Sequence, residues 1–154
     1  MGGHDYLNAF IYESSTIAEK AGDNLVNAAY KAVMYNSDGN IIIADKGDTA
    51  IGVVLGDCLD SVNKGDNMNI LIKDIGLIEA GGVIAKGDAV SINDKGQAVK
   101  AETGSFIFGF AFSRAKAEGE LIQVQINKAG LKSDSNKTVQ DTENNITEEE
   151  KNNG

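Results

Sequence analysis

The sequence predicts a mainly β fold, a compact β-barrel or β-sandwich of about eight short strands built from two similar halves, with at most one or two short helices. Residues 32–54 align without a gap with residues 89–111, 57 positions later, and share seven identities in 23 positions. Average residue usage predicts about one or two identities by chance. Glycine is plentiful, with 18 residues, and proline is absent, so Gly, Asn and Asp must form the turns.

The individual strands follow from period-two alternation and β-branched runs that turn residues separate. In the first half, we expect strands over residues 32–35, 41–44, 50–55 and 67–73. In the second half, we expect them over residues 89–92, 98–101, 106–112 and 121–127. The last strand of each half follows a Gly and an acidic residue, so the similarity extends to a fourth strand after an indel of three residues.

Glycines mark the turns of this pattern. Residues 36–40 and 93–97 each place polar residues and one glycine between apolar strands, which is typical of a hairpin turn with the glycine at positive φ. Several Gly-Asp pairs could in principle gather carboxylates for acid/base chemistry or calcium, but turn formation explains them without a site. The predicted structural turn residues are Gly22, Asp23, Gly39, Gly47, Gly52, Gly65, Gly87, Gly96, Gly104 and Gly109.

Two segments carry stronger local expectations. In residues 106–112 four phenylalanines occupy every second position, which predicts a central strand with one wholly aromatic face. Residues 24–31 have apolar positions at helical spacing, with Asp23 available as an N-cap. This spacing predicts a helix that ends near Tyr30, because the similarity between the halves makes the following residues a strand. A second short helical turn is possible over residues 78–83.

Composition divides the chain into three regions. Residues 1–20 form a flexible arm with a small apolar island, residues 21–130 form the glycine-punctuated β domain, and residues 131–154 hold six acidic residues and three lysines. This tail has too little apolar surface to offset its ordering entropy, so we expect it to be disordered.

Several functional classes are disfavoured. The formal net charge of −9, with Arg114 as the lone arginine, disfavours binding to nucleic acid. No apolar run is long enough to cross a membrane, and one cysteine, Cys58, forms no internal disulfide framework.

Catalytic patterns are missing as well. The single histidine, His4, lies in the arm and lacks the further ligands of a metal site, and the sequence has no nucleophile elbow, Walker loop or dinucleotide fingerprint. We therefore expect no enzymatic activity, no cofactor, no metal and no small-molecule substrate.

The order and spacing of short motifs over residues 21–128 resemble the small capsid cement, or head decoration, proteins of tailed bacteriophages. The motifs are AGD at 21–23, AV at 32–33, DG at 38–39, TAIGVV at 49–54, AGGVIAKGDAV at 80–90, KGQAV at 95–99 and GELIQVQI at 119–126. The long arm and the acidic tail depart from the family pattern.

The resemblance implies a β-rich, non-enzymatic protein on the outer surface of the virion, made in the host bacterial cytoplasm. It implies a homotrimer on the capsid that binds the major capsid protein and stabilises the shell. The N-terminal arm of such proteins adds a strand to a sheet of the major capsid protein, which is the β-augmentation mode. The arm residues that suit this role are Tyr6, Leu7, Phe10, Ile11 and Tyr12.

Two other functional classes remain open at the level of sequence. A biotinyl or lipoyl carrier domain also has two similar β halves, and Lys95 lies at a hairpin tip, but Asp94 and Gly96 flank it where that family has Met. A trimeric small-molecule hydrolase would need a cluster of His, Arg or Ser residues for phosphate binding, which the sequence lacks.

Overall fold

A computed structural model describes residues 15–57 and 60–134, and within these ranges the chain forms twelve β-strands and no helix. The prediction of a mainly β fold is confirmed. No helix among the described residues could therefore span a membrane. The strands are β1 (Thr16–Lys20), β2 (Leu25–Val26), β3 (Ala32–Tyr35), β4 (Ile41–Ile43), β5 (Gly52–Val54), β6 (Ser61–Val62), β7 (Asn67–Leu71), β8 (Asp74–Glu79), β9 (Ala89–Ile92), β10 (Ala98–Lys100), β11 (Phe106–Ala111) and β12 (Leu121–Leu131).

The strands form two five-stranded sheets and one two-stranded sheet. The first sheet has the order β1-β7-β5-β3-β4, and the second sheet, written from its opposite edge, has the order β8-β12-β11-β9-β10. Neighbouring strands are antiparallel in both sheets. We call β1 to β7 the first half and β8 to β12 the second half. The sequence predicted eight of these strands and missed β1, β2, β6 and β8.

The missed strands β1 and β8 lie at the same edge of their respective sheets. β1 pairs with β7 over its whole length, from Thr16 opposite Leu71 to Lys20 opposite Asn67. The first sheet therefore begins inside the segment that the sequence pattern assigned to a flexible arm. The sheet residues Ile17 and Glu19 are only partly exposed, and this short alternation was hidden by its polar neighbours.

The helix predicted over residues 24–31 is wrong. Leu25 pairs with Val62 in the two-stranded sheet, and Asn27 and Tyr30 have φ values of 52° and 63°. A right-handed helix cannot contain such residues. The apolar positions are buried, as a helix face would be, because a strand followed by a tight turn brings Leu25 and Ala28 to the same core. The helical turn suggested over residues 78–83 is also absent, since β8 extends to Glu79.

The predicted aromatic face of β11 is wrong, although the strand is central as expected. A register shift between Ile107 and Gly109 breaks the pairing with β12. Phe108 consequently lies in the hydrophobic core with Ala111 and has no exposed surface, whereas Phe112, just beyond the strand, is 40% exposed. An irregularity of this kind changes which residues face the core, and strict alternation cannot reveal it.

Two of the predicted turn glycines, Gly52 and Gly109, lie inside strands β5 and β11. A Cβ added at Gly52 would overlap the Leu71 carbonyl oxygen, and one at Gly109 would overlap the Gln125 carbonyl oxygen. Close approach of the neighbouring strand therefore requires glycine at both positions. Gly22 lies in a bend without positive φ. The predicted turn glycines that do have positive φ are Gly39, Gly47, Gly65, Gly87, Gly96 and Gly104.

The hydrophobic core has two clusters. The smaller one lies in the first half and joins residues of the two-stranded sheet to Val33 and Ile70 of the first sheet. The larger one contains residues of both halves, because Val53 and Leu71 of the first sheet pack with the core of the second half. The opposite face of the first sheet is thus an internal interface, which holds the two halves together.

Candidate functional site

The acidic residues of the described ranges do not form a catalytic or metal site. Across residues 15–57 and 60–134, no group of three or more His, Cys, Asp or Glu residues could hold a metal ion. The carboxylates of the Gly-Asp pairs bond to local backbone instead: Asp66 accepts from the Asn63 N–H at 3.1 Å and Asp88 from the Ala85 N–H at 2.9 Å. Their geometry stabilises turns.

The main polar contact between the halves is an ion pair. Lys31, just before β3, donates from Nζ to Oε1 of Glu79 at 2.6 Å, and Gln97 Nε2 donates to the same oxygen at 2.5 Å. Burial alone would raise the pKa of Glu79, but the hydrogen bonds from Lys31 and Gln97 outweigh burial and lower it. The Glu79 N–H also donates to the Tyr30 carbonyl oxygen at 3.0 Å. These bonds fix the end of β8 against the first half.

The hairpin between β9 and β10 docks on the first half beside this ion pair. Gly96 is buried, and its carbonyl oxygen accepts from the Ala32 N–H at 2.7 Å. The neighbouring Lys95 is exposed and pairs with Glu118 at 3.0 Å, which raises the pKa of Lys95. A carrier-domain lysine must lie on a projecting tip, whereas this tip is packed against the other half.

The outer face of the second sheet is a continuous surface of apolar and amide side chains. Ile75 on β8 lies opposite Gln125 on β12, Gln125 lies opposite Phe110 on β11, and Phe110 lies opposite Ala89 on β9. A second row contains Leu77 opposite Gln123. We call this surface the outer face of the second sheet; its residues are Ile75, Leu77, Ala89, Phe110, Phe112, Leu121, Gln123 and Gln125.

This face exposes more apolar area than the rest of the sheet. Ile75, Leu77, Phe112 and Leu121 are each between 40% and 52% exposed. Exposed apolar residues that gather on one face indicate an interaction surface, whereas scattered ones need no explanation. The sequence pattern did not reveal it, because the alternating residues of β8 were not recognised as a strand.

A shallow groove of about 730 Å³ adjoins this face at Phe112. Val83, which is 74% exposed, lies on its other side. Lys86, Arg114 and Lys116 also line the groove. Three cations around two apolar side chains give a local positive patch on a protein of net charge −9.

The predicted arm residues lie outside the described residues, so their geometry adds nothing to the site. These residues are Tyr6, Leu7, Phe10, Ile11 and Tyr12. The described chain starts at Ser15, whose carbonyl oxygen accepts from the Ile72 N–H at 2.9 Å and whose hydroxyl donates to Asp74. The arm is therefore attached at the edge of the first sheet, where the two sheets meet.

Comparison with known proteins agrees with a structural role. A family model of phage cement proteins matches residues 28–126. The solved structure of the head fiber gp8.5 N base in bacteriophage phi29 is similar, with 26% sequence identity and a TM-score of 0.59, and the match covers 76% of this chain and 97% of that chain. No curated protein matches the sequence significantly. Since the family model covers more than half of the chain, this chain is a phage head protein that belongs to the phage cement protein family.

Proposed function

We propose that the protein is a non-enzymatic capsid decoration protein that binds the outside of the mature phage head and stabilises the shell. The observation that carries this proposal is the family match, which extends from the turn after β2 into β12 and so covers most of both sheets. The architecture is consistent with it. The carboxylates and amides of the described turns bond to the protein itself, and exposed chemistry is concentrated in an apolar sheet face and a basic groove.

The partner on the shell is the major capsid protein, and the N-terminal arm supplies the contact. Its apolar island has the composition of a strand that could join a sheet of the partner, with Phe10, Ile11 and Tyr12 at its centre. Attachment at Ser15 beside the edge strand β1 lets the arm extend away from the sheet without unfolding it. The mature protein then resides on the virion surface after synthesis in the host cytoplasm.

On the shell the protein acts as a homotrimer. Three arms on one particle could engage neighbouring capsomers at once, so a weak contact of each arm becomes a strong attachment of the whole. The excess of negative charge limits premature association of free chains.

We also propose that the two halves are an internal repeat. Support comes from the matching strand order of the two sheets and from corresponding contacts. The Gly22 N–H donates to the Ile41 carbonyl oxygen in the first half, as the Gly81 N–H donates to the Ala98 carbonyl oxygen in the second. The close approaches at Gly52 and Gly109 also correspond. The demand shared by both halves is a rigid shape.

A binding experiment with purified heads tests the function. The full chain is incubated with mature expanded heads and with unexpanded heads of the phage that encodes it, and bound protein is measured after sedimentation of the particles. We expect saturable binding to expanded heads alone, together with greater resistance of those heads to disruption by heat. Failure to bind either form would refute the proposal.

A further inference from the structure

We infer that the outer face of the second sheet docks on the first half of a second copy of this chain. Within one chain, the equivalent face of the first sheet already docks on the second half. The inference rests on the proposed internal repeat, which assigns every residue of this intrachain interface a partner position in the other half. Those partner positions are free on both halves, and they are chemically complementary.

The first line of support is a difference in burial at equivalent positions. In the first sheet, Ala32, Val53 and Leu71 pack with the core of the second half and are buried. In the second sheet, the equivalent positions are Ala89, Phe110 and Gln125, of which the first two are only partly buried and the last is exposed. The face that the first half covers is thus open on the second half and carries larger side chains.

The second line of support is the hairpin that docks on this face. Gly96 is buried, and a Cβ added there would lie 2.8 Å from the Ala32 carbonyl oxygen of the first half. The equivalent Gly39 in the hairpin between β3 and β4 is exposed and has open space around its Cβ position. The first half therefore presents an unused copy of the same docking element. In a pair of chains it would meet Ala89 of the neighbour.

The third line of support is charge. The intrachain interface pairs Lys31 with Glu79. The residues at the equivalent positions are Asp88 and Lys20, so both charges are reversed and the pair remains complementary. Asp88 lies beside the open face, where its carboxylate is 3.4 Å from Lys100. Lys20 is exposed on the edge strand β1. A random change of these residues would as readily have produced two like charges.

Such a contact is head to tail, because the second half of one chain binds the first half of the next. Contacts of this type close into a ring when the rotation between copies allows it, and otherwise extend into a filament. The proposal specifies the contact and leaves the number of copies to measurement.

Sedimentation of the full-length chain over a range of concentrations tests the proposal without capsids. We expect reversible self-association of the wild type at concentrations of tens to hundreds of micromolar, which is typical of small or transient interfaces. Gly39→Asn adds a side chain at the docking tip while tolerating positive φ, so it should weaken association at least about tenfold. The matched control is Gly65→Asn, which also has positive φ and open space, and whose N–H bonds within its own half to Ala21.

A charge reversal adds specificity to the test. Lys20→Glu places two acids at the contact and should weaken association severalfold, whereas Lys64→Glu, an equal change at another exposed lysine of the first half, should not. Adding Asp88→Asn to Lys20→Glu removes the repulsion and keeps an acceptor for the Ala85 N–H, so association should partly recover. A wild type that stays monomeric throughout, or equal effects of the test and control variants, would overturn the inference. Parallel binding to expanded heads separates this failure from failure of the proposed function.

Discussion

Lys31 and Glu79 join the two halves of the protein through a hydrogen-bonded ion pair with an Nζ to Oε1 distance of 2.6 Å. Lys31 immediately precedes β3 in the first sheet, and Glu79 ends β8 at the edge of the second. Both side chains are largely buried, and Gln97 donates a further hydrogen bond to the same carboxylate. The contact therefore combines charge with the docking of the hairpin between β9 and β10.

Acidification should weaken this contact. The folded state lowers the pKa of Glu79 below its ordinary value of 4.5, so the pair stabilises the fold above that pH and the contribution is lost as pH falls through the lowered pKa. We expect Glu79→Gln to reduce the free energy of unfolding at neutral pH by about 1 kcal/mol, allowing for solvent screening. The variant should also lose less stability than the wild type when the pH is lowered below 4.5.

Urea unfolding at a series of pH values measures both effects. Glu118→Gln is the matched control, since it makes the same change at the fully exposed pair with Lys95 and should cost less at neutral pH. Parallel stability curves for the wild type and Glu79→Gln between neutral and acid pH would contradict the assignment.

Alanine should be poorly tolerated at the two strand glycines. In Gly52→Ala and Gly109→Ala the new methyl group would overlap a backbone carbonyl oxygen of the adjacent strand, which cannot move without breaking the sheet. We expect each substitution to lower the free energy of unfolding by about 2 to 3 kcal/mol, as overpacking does in other cores. Chemical unfolding measures the loss. Gly82→Ala, which has open space and no positive φ, should be neutral or slightly stabilising.

The irregularity in β11 should separate two phenylalanines that the sequence placed on one face. Phe108→Ala removes a fully buried ring and should cost about 3 to 5 kcal/mol. Phe112→Ala removes a ring that is 40% exposed and should cost less than about 1.5 kcal/mol. Both are measured at low protein concentration, where self-association does not contribute. Equal losses would restore the single aromatic face and refute the observed register.

Removal of the arm should separate binding from folding. Deletion of residues 1–14 spares Ser15, whose carbonyl oxygen and hydroxyl bond to Ile72 and Asp74. We expect the truncated protein to keep its midpoint of thermal unfolding while losing attachment to expanded heads. A second deletion that also removes Ser15 should lower the midpoint slightly. Loss of stability equal to the loss of binding in the first deletion would show that the arm belongs to the fold.

The sequence by itself determined the β class, the eight strands of the two similar halves and the turns between them. These features depend on local properties: alternation of side chains between two faces, and the freedom of glycine to adopt positive φ at Gly39 and Gly96. The order and spacing of the short motifs also indicated the cement family, which the family match confirms.

Only the tertiary structure decided which surfaces meet. Leu25 and Ala28 have helical spacing, but β2 pairs with β6, and that pairing overrides local propensity because it buries both side chains without a helix. The faces of Phe108 and Phe112 depend on a register shift against β12, which lies outside the local pattern.

The same limit applies to the contact between the halves. Lys31 and Glu79 are far apart in sequence, and no local pattern predicts that one sheet face is covered while its counterpart, with Phe110 and Gln125, stays open. Burial and charge at such positions are set by contacts between distant elements, and these exist only when the chain is folded.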